Sequence, residues 1–356
     1  MSLWINEEIA DKQYILHKAA EEKNISSEHT VEKDWWVTAV LKALFNTSFG
    51  SYLMFKGGTS LSKGWNLINR FSEDIDLSLD QKYFLDQDKG KKEKEKVFDF
   101  AVCTNNNQIK KLRKAGRKLI HETLSAELDL QLKKLGIKDY EVINITKKTE
   151  NGKEVLVDSD SDPTEIHVVY DSILEEENNY VKPRVKLEIS VLSMEEPNQL
   201  CKISSFIKDV FSDYDDEIIS YIKTVVPTRT FLEKAMLLNE EFMKETPRTL
   251  RLTRHLYDLE KMMDIQFGKD ALNDTELYKK VVEHRRKFYH AGYADYDKDY
   301  PNFINFCPPK SILEDWRKDY QSMKENFIYG ESLSFDELLT RINELNDRFR
   351  QIEVNS

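Results

Sequence analysis

Residues 74–79, Asp-Ile-Asp-Leu-Ser-Leu, alternate polar and apolar without interruption. A period of two sends Asp74, Asp76 and Ser78 to one face and Ile75, Leu77 and Leu79 to the other. Such a segment is a strand, and it requires a sheet with one packed face and one polar face. A second segment of this kind, Arg-Val-Lys-Leu-Glu-Ile-Ser-Val at 184–191, sends Lys186, Glu188 and Ser190 one way and Val185, Leu187, Ile189 and Val191 the other. If the two strands pair, Glu188 is a third carboxylate beside the aspartates. Read alone, each segment is equally a half-buried strand with charge on its outer face.

The rest of the chain fits around such a sheet. Residues 31–45, VEKDWWVTAVLKALF, place Val31, Trp35, Val37, Val40, Leu41 and Leu44 on one broad apolar helix face. Asn151-Gly152 between two strand-like runs predicts a hairpin, and EIHVVYDSI predicts a further strand. From about residue 200 helices are expected to replace strands. Thr230 and Glu233 have capping-box spacing, so a helix is expected from Thr230 to about Lys244, with others near 248–263, 276–290 and 334–350. The expected class is α/β (α+β): a mixed sheet with flanking helices over residues 1–199 and an all-helical half over 200–356. A length of 356 residues agrees with two domains.

Composition narrows the function. Hydrophobic residues make up 40% and charged residues 33%, with only 11 Gly and 8 Pro, which describes a globular chain leaning towards helix. No apolar run is long enough to span a bilayer and the first residues lack a signal-peptide pattern, so a cytoplasmic location without a membrane partner is expected. Cys103, Cys201 and Cys307 form no CxxC pair, and neither a disulfide framework nor a zinc site is suggested. The net charge of −11 argues against coating nucleic acid through an overall field, although local patches remain available. Lys110 to Lys118, KKLRKAGRK, carries six basic residues, and Lys89 to Lys96 mixes five Lys with two Glu. Both read first as solvated surface.

Two aspartates side by side on a strand repel unless a cation neutralises them, and Mg²⁺ takes one or two carboxylates plus substrate phosphates. An EF-hand would need Gly and Glu where Leu79 and Leu85 stand, and a P-loop would need GK[ST] where Lys63 precedes Gly64. Both are excluded. Gly57 and Gly58 let backbone N–H groups approach an anion, and Thr59 and Ser60 add hydroxyls at a helix start. A phosphate-holding turn beside an Mg²⁺-holding strand is a layout for phosphoryl or nucleotidyl transfer, and two-ion transfer needs more than two carboxylates, which gives Glu188 a role as third ligand or base.

Gly-Gly, a helical interval, Asp-x-Asp on a strand and a later carboxylate resemble the polymerase β type nucleotidyltransferase superfamily. FKGGTSL followed by RFSEDIDL is closer still to the AbiEii/AbiGii toxin family, related to the MenT toxins. VEKDWWVTAVLKAL, KLEI, FLEKAMLL and RHLYDL follow in the expected order over most of residues 28–290. The resemblance implies that Gly58 with Thr59 or Ser60 holds the triphosphate, that Asp74 and Asp76 bind Mg²⁺, with two ions in all, and that Lys234 and Asp258 are further active-site residues. It also implies an NTP substrate, an RNA acceptor such as a tRNA 3′ end, a cognate antitoxin and a role in toxin–antitoxin or phage-defence systems. One departure is the 15-residue interval between Gly58 and Asp74, longer than the general superfamily pattern.

Read from the residues alone, Lys234 is a solvated helix cation and Asp258 an i,i+4 partner of Arg254. A nucleotidyltransferase acting on a small molecule or protein, and a nucleotide-binding module without turnover, are the rival readings. His284, Arg285 and Arg286 with Phe288, Tyr289 and His290 fit either base stacking or an amphipathic helix, and their spacing does not make a metal site.

Overall fold

The computed structural model describes residues 3–87, 105–150, 152–175, 182–192, 197–289 and 291–353. The Lys89 to Lys96 run, Cys103, Asn151 and His290 lie outside them. The chain divides into two compact units, one of Met1–Gly64 with Ser72–Thr224 and one of Trp65–Phe71 with Val225–Ser356.

The first unit is built on a seven-stranded mixed sheet. Its strands are β1 (Leu53–Lys56), β2 (Asp74–Leu79), β3 (Tyr140–Asn144), β6 (Thr164–Tyr170), β7 (Arg184–Ser190), β8 (Asn198–Ile203) and β9 (Ser220–Val225), while β4 (Lys147–Glu150) and β5 (Lys153–Leu156) form the expected hairpin beside it. The order is β3-β6-β7-β2-β1-β9-β8. β2 pairs antiparallel with β1 and parallel with β7. The α/β class is therefore as expected, but the sheet does not stop near residue 200: β8 and β9 extend it to Val225. β9 hides two polar residues, Ser220 and Thr224, where a strand's apolar face would show.

Ile75, Leu77 and Leu79 of β2 and Val185, Leu187 and Ile189 of β7 are all buried. The helix Glu28–Phe45 packs against β7. Its expected apolar face is buried throughout, and so are Glu32, Lys33 and Asp34. A helix buried almost all round places its charged residues where each must find a partner.

The second unit contains the helices Pro227–Phe242, Thr253–Met262, Gln266–Asn273, Thr275–Phe288, Leu313–Asn326 and Phe335–Arg350. Pro227–Phe242 packs against the next two, and Phe349 gathers Phe231, Tyr278 and Phe306 into an aromatic core. Pro227–Phe242 starts three residues before Thr230, with Pro227 at its first position and no capping side chain. Proline's fixed φ suits the first turn and sets the start there. Lys234 is consequently the eighth residue of its helix, outside the first turn, where a cation would face the positive end of the helix dipole.

Candidate active site

Register turns the two alternating strands into a charged surface. Asp74 lies opposite Lys186, and Asp76 opposite Glu188. On the far side of β7, Lys186 faces His167 and Glu188 faces Glu165, while Lys56 of β1 faces Asp76. Two rows thus cross the sheet on one face: Lys56, Asp76, Glu188 and Glu165, then Asp74, Lys186 and His167. Neighbouring strands are about 4.8 Å apart, so like charges in a row repel. Lys186 Nζ pairs with Glu188 Oε1 at 2.7 Å and lies 3.8 Å from Glu165 Oε2. Glu165 Oε1 is 2.5 Å from His167 Nε2. Burial works against the Lys186 charge, but Glu188, Asp74 and Glu165 outweigh it and hold its pKa above the ordinary value. The hydrogen bond to His167 chiefly holds Glu165 below the usual carboxylate range. Among the described residues no three His, Cys, Asp or Glu side chains stand together as a metal-holding group.

The glycine turn meets this surface directly. β1 ends at Lys56, and Gly57 follows with φ of +75°. That left-handed conformation favours glycine, and space demands it as well: a Cβ on Gly57 would overlap the Asp76 carboxylate. The structure therefore brings Gly57, Gly58 and the aspartate pair together. Thr59 and Ser60 are fully buried in the short helix that follows. The Thr59 hydroxyl donates to the carbonyl of Asp74, fastening the turn to the start of β2, and the Ser60 hydroxyl donates to the Gly57 carbonyl at 2.8 Å.

Residues not singled out in the sequence hold both halves in place. Lys33 Nζ pairs with Glu73 Oε2 at 2.6 Å and donates to the Lys182 carbonyl at 3.1 Å. Glu73 immediately precedes Asp74. Asp34 pairs with Lys63, in the helical turn after the glycines, at 2.6 Å, and its other oxygen accepts the Phe206 N–H at 2.8 Å. Adjacent residues of one helix thus anchor the strand and the turn separately. Burial pulls the Lys33 pKa down against the opposing pull of Glu73. Their signal was three consecutive charges before two tryptophans in an otherwise apolar helix.

Lys234 and Asp258 come together in the helical unit. Lys234 Nζ is 2.8 Å from Asp258 Oδ2. Arg70 grips the same carboxylate with two bonds, Nε to Oδ1 and Nη2 to Oδ2, each 2.7 Å. The partners are thus long-range rather than the i,i+4 neighbour. All three side chains are buried, and so is His255, whose Nδ1 lies 3.4 Å from Lys234 Nζ. Burial, then the neighbouring cations, push the His255 pKa well below its ordinary value, so the neutral ring accepts from Lys234. Arg70 also accounts for the long interval after Gly58, because Trp65–Phe71 belongs to this unit. Asp258 remains ionised: burial opposes its charge, but Arg70 and Lys234 win. Two basic side chains share one carboxylate, and burial pulls the Lys234 pKa down against the opposing pull of Asp258.

The His284–Tyr289 segment serves its own helix bundle. His284 packs on Phe288, and Arg285 binds Glu240 with bonds of 2.5 and 2.8 Å while stacking on Tyr289.

A mixed sheet bearing Asp-x-Asp on one strand against a glycine turn, with a parallel strand supplying further charge, is a nucleotidyl-transfer layout. The family model for the nucleotidyl transferase AbiEii toxin of type IV toxin–antitoxin systems matches residues 39–341, and the chain belongs to that family. It is accordingly a nucleotidyltransferase, a phosphorus-group transferring enzyme, and the family implies a nucleotide substrate and a cognate antitoxin. No curated protein sequence matches it. No helix among the described residues is long and apolar enough to cross a membrane.

Proposed function

We propose that this toxin-family enzyme moves NMP from an NTP to an acceptor hydroxyl of RNA and releases pyrophosphate, with a divalent cation held at Asp74 and Asp76. The observation that carries this reading is the Asp76 carboxylate lying against the Cα of Gly57. It makes one site of a backbone turn suited to phosphate and a pair of hard oxygen donors suited to Mg²⁺. The fit is chemical as well as spatial, since carboxylate oxygens are the hard donors that Mg²⁺ takes together with substrate phosphates. When bound, such ions polarise the phosphoryl group and neutralise its developing charge.

The protein's own groups divide the remaining work. Gly57 and Gly58 let the backbone reach the triphosphate, while Thr59 and Ser60 spend their hydroxyl protons on carbonyls and stiffen the turn. Glu188 is the third carboxylate of the face and the residue for the acceptor side. Lys234 is the phosphate-binding cation, with Asp258, itself gripped by Arg70, fixing its direction. An RNA acceptor agrees with Lys110, Lys111, Lys114 and Lys118, which are exposed on the helix Asn106–Leu119 and form a basic stripe on an otherwise acidic chain.

The test is incubation with Mg²⁺, each labelled NTP in turn and bulk tRNA, comparing wild type with Asp76→Ala. Label is expected in RNA with wild type and not with the variant. Label transfer that survives the substitution would overturn the metal assignment, and label found only on a small molecule or protein would overturn the RNA acceptor.

A further inference from the structure

Lys186 stands where the carboxylates of this face meet. Register puts it between Asp74 on β2 and His167 on β6, one row from Asp76, Glu188 and Glu165. Its ammonium holds Glu188 at 2.7 Å and has Glu165 at 3.8 Å. Glu165 is itself tied to His167, and His167 Nδ1 faces Arg184 Nη1 at 3.4 Å, so the outer seat is braced from behind. Lys186 and Glu188 side chains are 27% and 28% exposed, so water reaches the ammonium. A lysine head on a flexible stem with three donors passes between two such acceptors by rotation alone.

We propose that Lys186 is the resident cation of the carboxylate face: it occupies Glu188 until a divalent ion arrives, then yields Glu188 by turning to Glu165. This rests on the reading that Asp74 and Asp76 hold that ion. A positive charge beside Asp74 and Glu188 relieves their repulsion in the ion-free protein. The same charge opposes a second cation, so it weakens ion binding in proportion to how firmly it stays on Glu188. Glu165 sets that firmness by offering the alternative seat. Lys186 is thus a positioning residue that acts through Glu188 and touches no reacting atom.

The experiment is Mn²⁺ binding to the full chain without nucleotide, followed by loss of the free-ion electron paramagnetic resonance signal, with circular dichroism confirming the fold of each variant. Lys186→Met is expected to bind Mn²⁺ about ten-fold more tightly, the order that Coulomb's law gives for removing a charge a few ångströms away on a partly exposed face. Lys186→Arg is expected to bind Mn²⁺ no more tightly than wild type, because the charge stays and the guanidinium grips a carboxylate more firmly. Glu165→Gln is expected to weaken binding several-fold, and this effect is expected to shrink to less than about two-fold in the Lys186→Met background, because the two act as one unit. Unchanged or weaker binding in Lys186→Met, or a Glu165→Gln effect that persists without the lysine, overturns the proposal while leaving the aspartate pair intact. Wild type that binds no Mn²⁺, or binds it as well when Asp76 is changed to Asn, overturns the aspartate reading itself.

Discussion

The two charged clusters of this molecule are built on opposite principles. In the sheet unit four carboxylates, Asp74, Asp76, Glu165 and Glu188, share one face with two lysines, Lys56 and Lys186. In the helical unit, two cations share one carboxylate and the whole group is buried. On the reading proposed above, the first arrangement is the one that would take a cation from outside, and on a half-exposed face its ion pairs are worth little to stability. The second is part of the core: it holds its unit together whatever else it does, because removing one partner strands buried charge. Function and stability should therefore separate between the clusters.

The sharpest separation is expected at Asp76. Asp76→Ala should lower nucleotidyl transfer on the order of a thousand-fold, as for loss of a group that stabilises developing charge, while at a half-exposed position it should change the unfolding free energy by about 1 kcal/mol. Asp258→Asn should behave in the reverse sense in denaturant unfolding, losing about 3–5 kcal/mol because Arg70 and Lys234 are left buried without their anion. Lys234→Met keeps the Arg70–Asp258 pair, so it should lose less stability than Asp258→Asn, and a loss of transfer out of proportion to that smaller destabilisation would be functional. A loss as great as that of Asp258→Asn would erase the contrast between the clusters.

Gly57→Ala probes the seam between turn and strand. The new Cβ must displace the Asp76 carboxylate, and a shift of about 1 Å at a reacting centre costs on the order of a hundred-fold in rate. The left-handed backbone adds about 1–2 kcal/mol of strain. Transfer assays and thermal melts read the two separately.

The smallest expected effect on transfer lies in the helical unit. Burial, then the nearby Glu240, push the Asp299 pKa up to about 8. The folded state therefore binds a proton that the unfolded chain releases near pH 4, so stability from this group is present at low pH and lost as pH rises towards 8. Asp299→Asn should flatten that fall between about pH 4 and pH 8, read as the slope of unfolding free energy against pH, while leaving the pH dependence of transfer unchanged.

What could be read in advance follows the same division. The aspartate pair was visible because a strand's period of two is a local property, and Glu188 followed from a second strand of the same kind. The union of Gly57 with Asp76 was not visible as geometry, since it depends on an antiparallel pairing across the Trp65–Phe71 excursion. Arg70 and Asp258 lie 188 residues apart, and no periodicity reports such a pair. Lys33 and Asp34 were passed over because only the apolar face of their helix was read, although three consecutive charges before two tryptophans mark them. The helix start at Pro227 was displaced to Thr230 by a capping-box spacing that the chain does not use. β8 was hidden by its exposed, polar position at the sheet edge.

The central claim is that Asp74 and Asp76 form the ion-holding half of a site whose other half is the Gly57-Gly58 turn. Crystals grown with Mn²⁺ and a non-hydrolysable NTP, measured for anomalous scattering at the manganese edge, test it most directly. The account predicts an anomalous peak bridging the Asp74 and Asp76 carboxylates, with nucleotide phosphate density against Gly57 and Gly58. Ion and phosphates found together elsewhere in the chain, with the aspartates uninvolved, would contradict it.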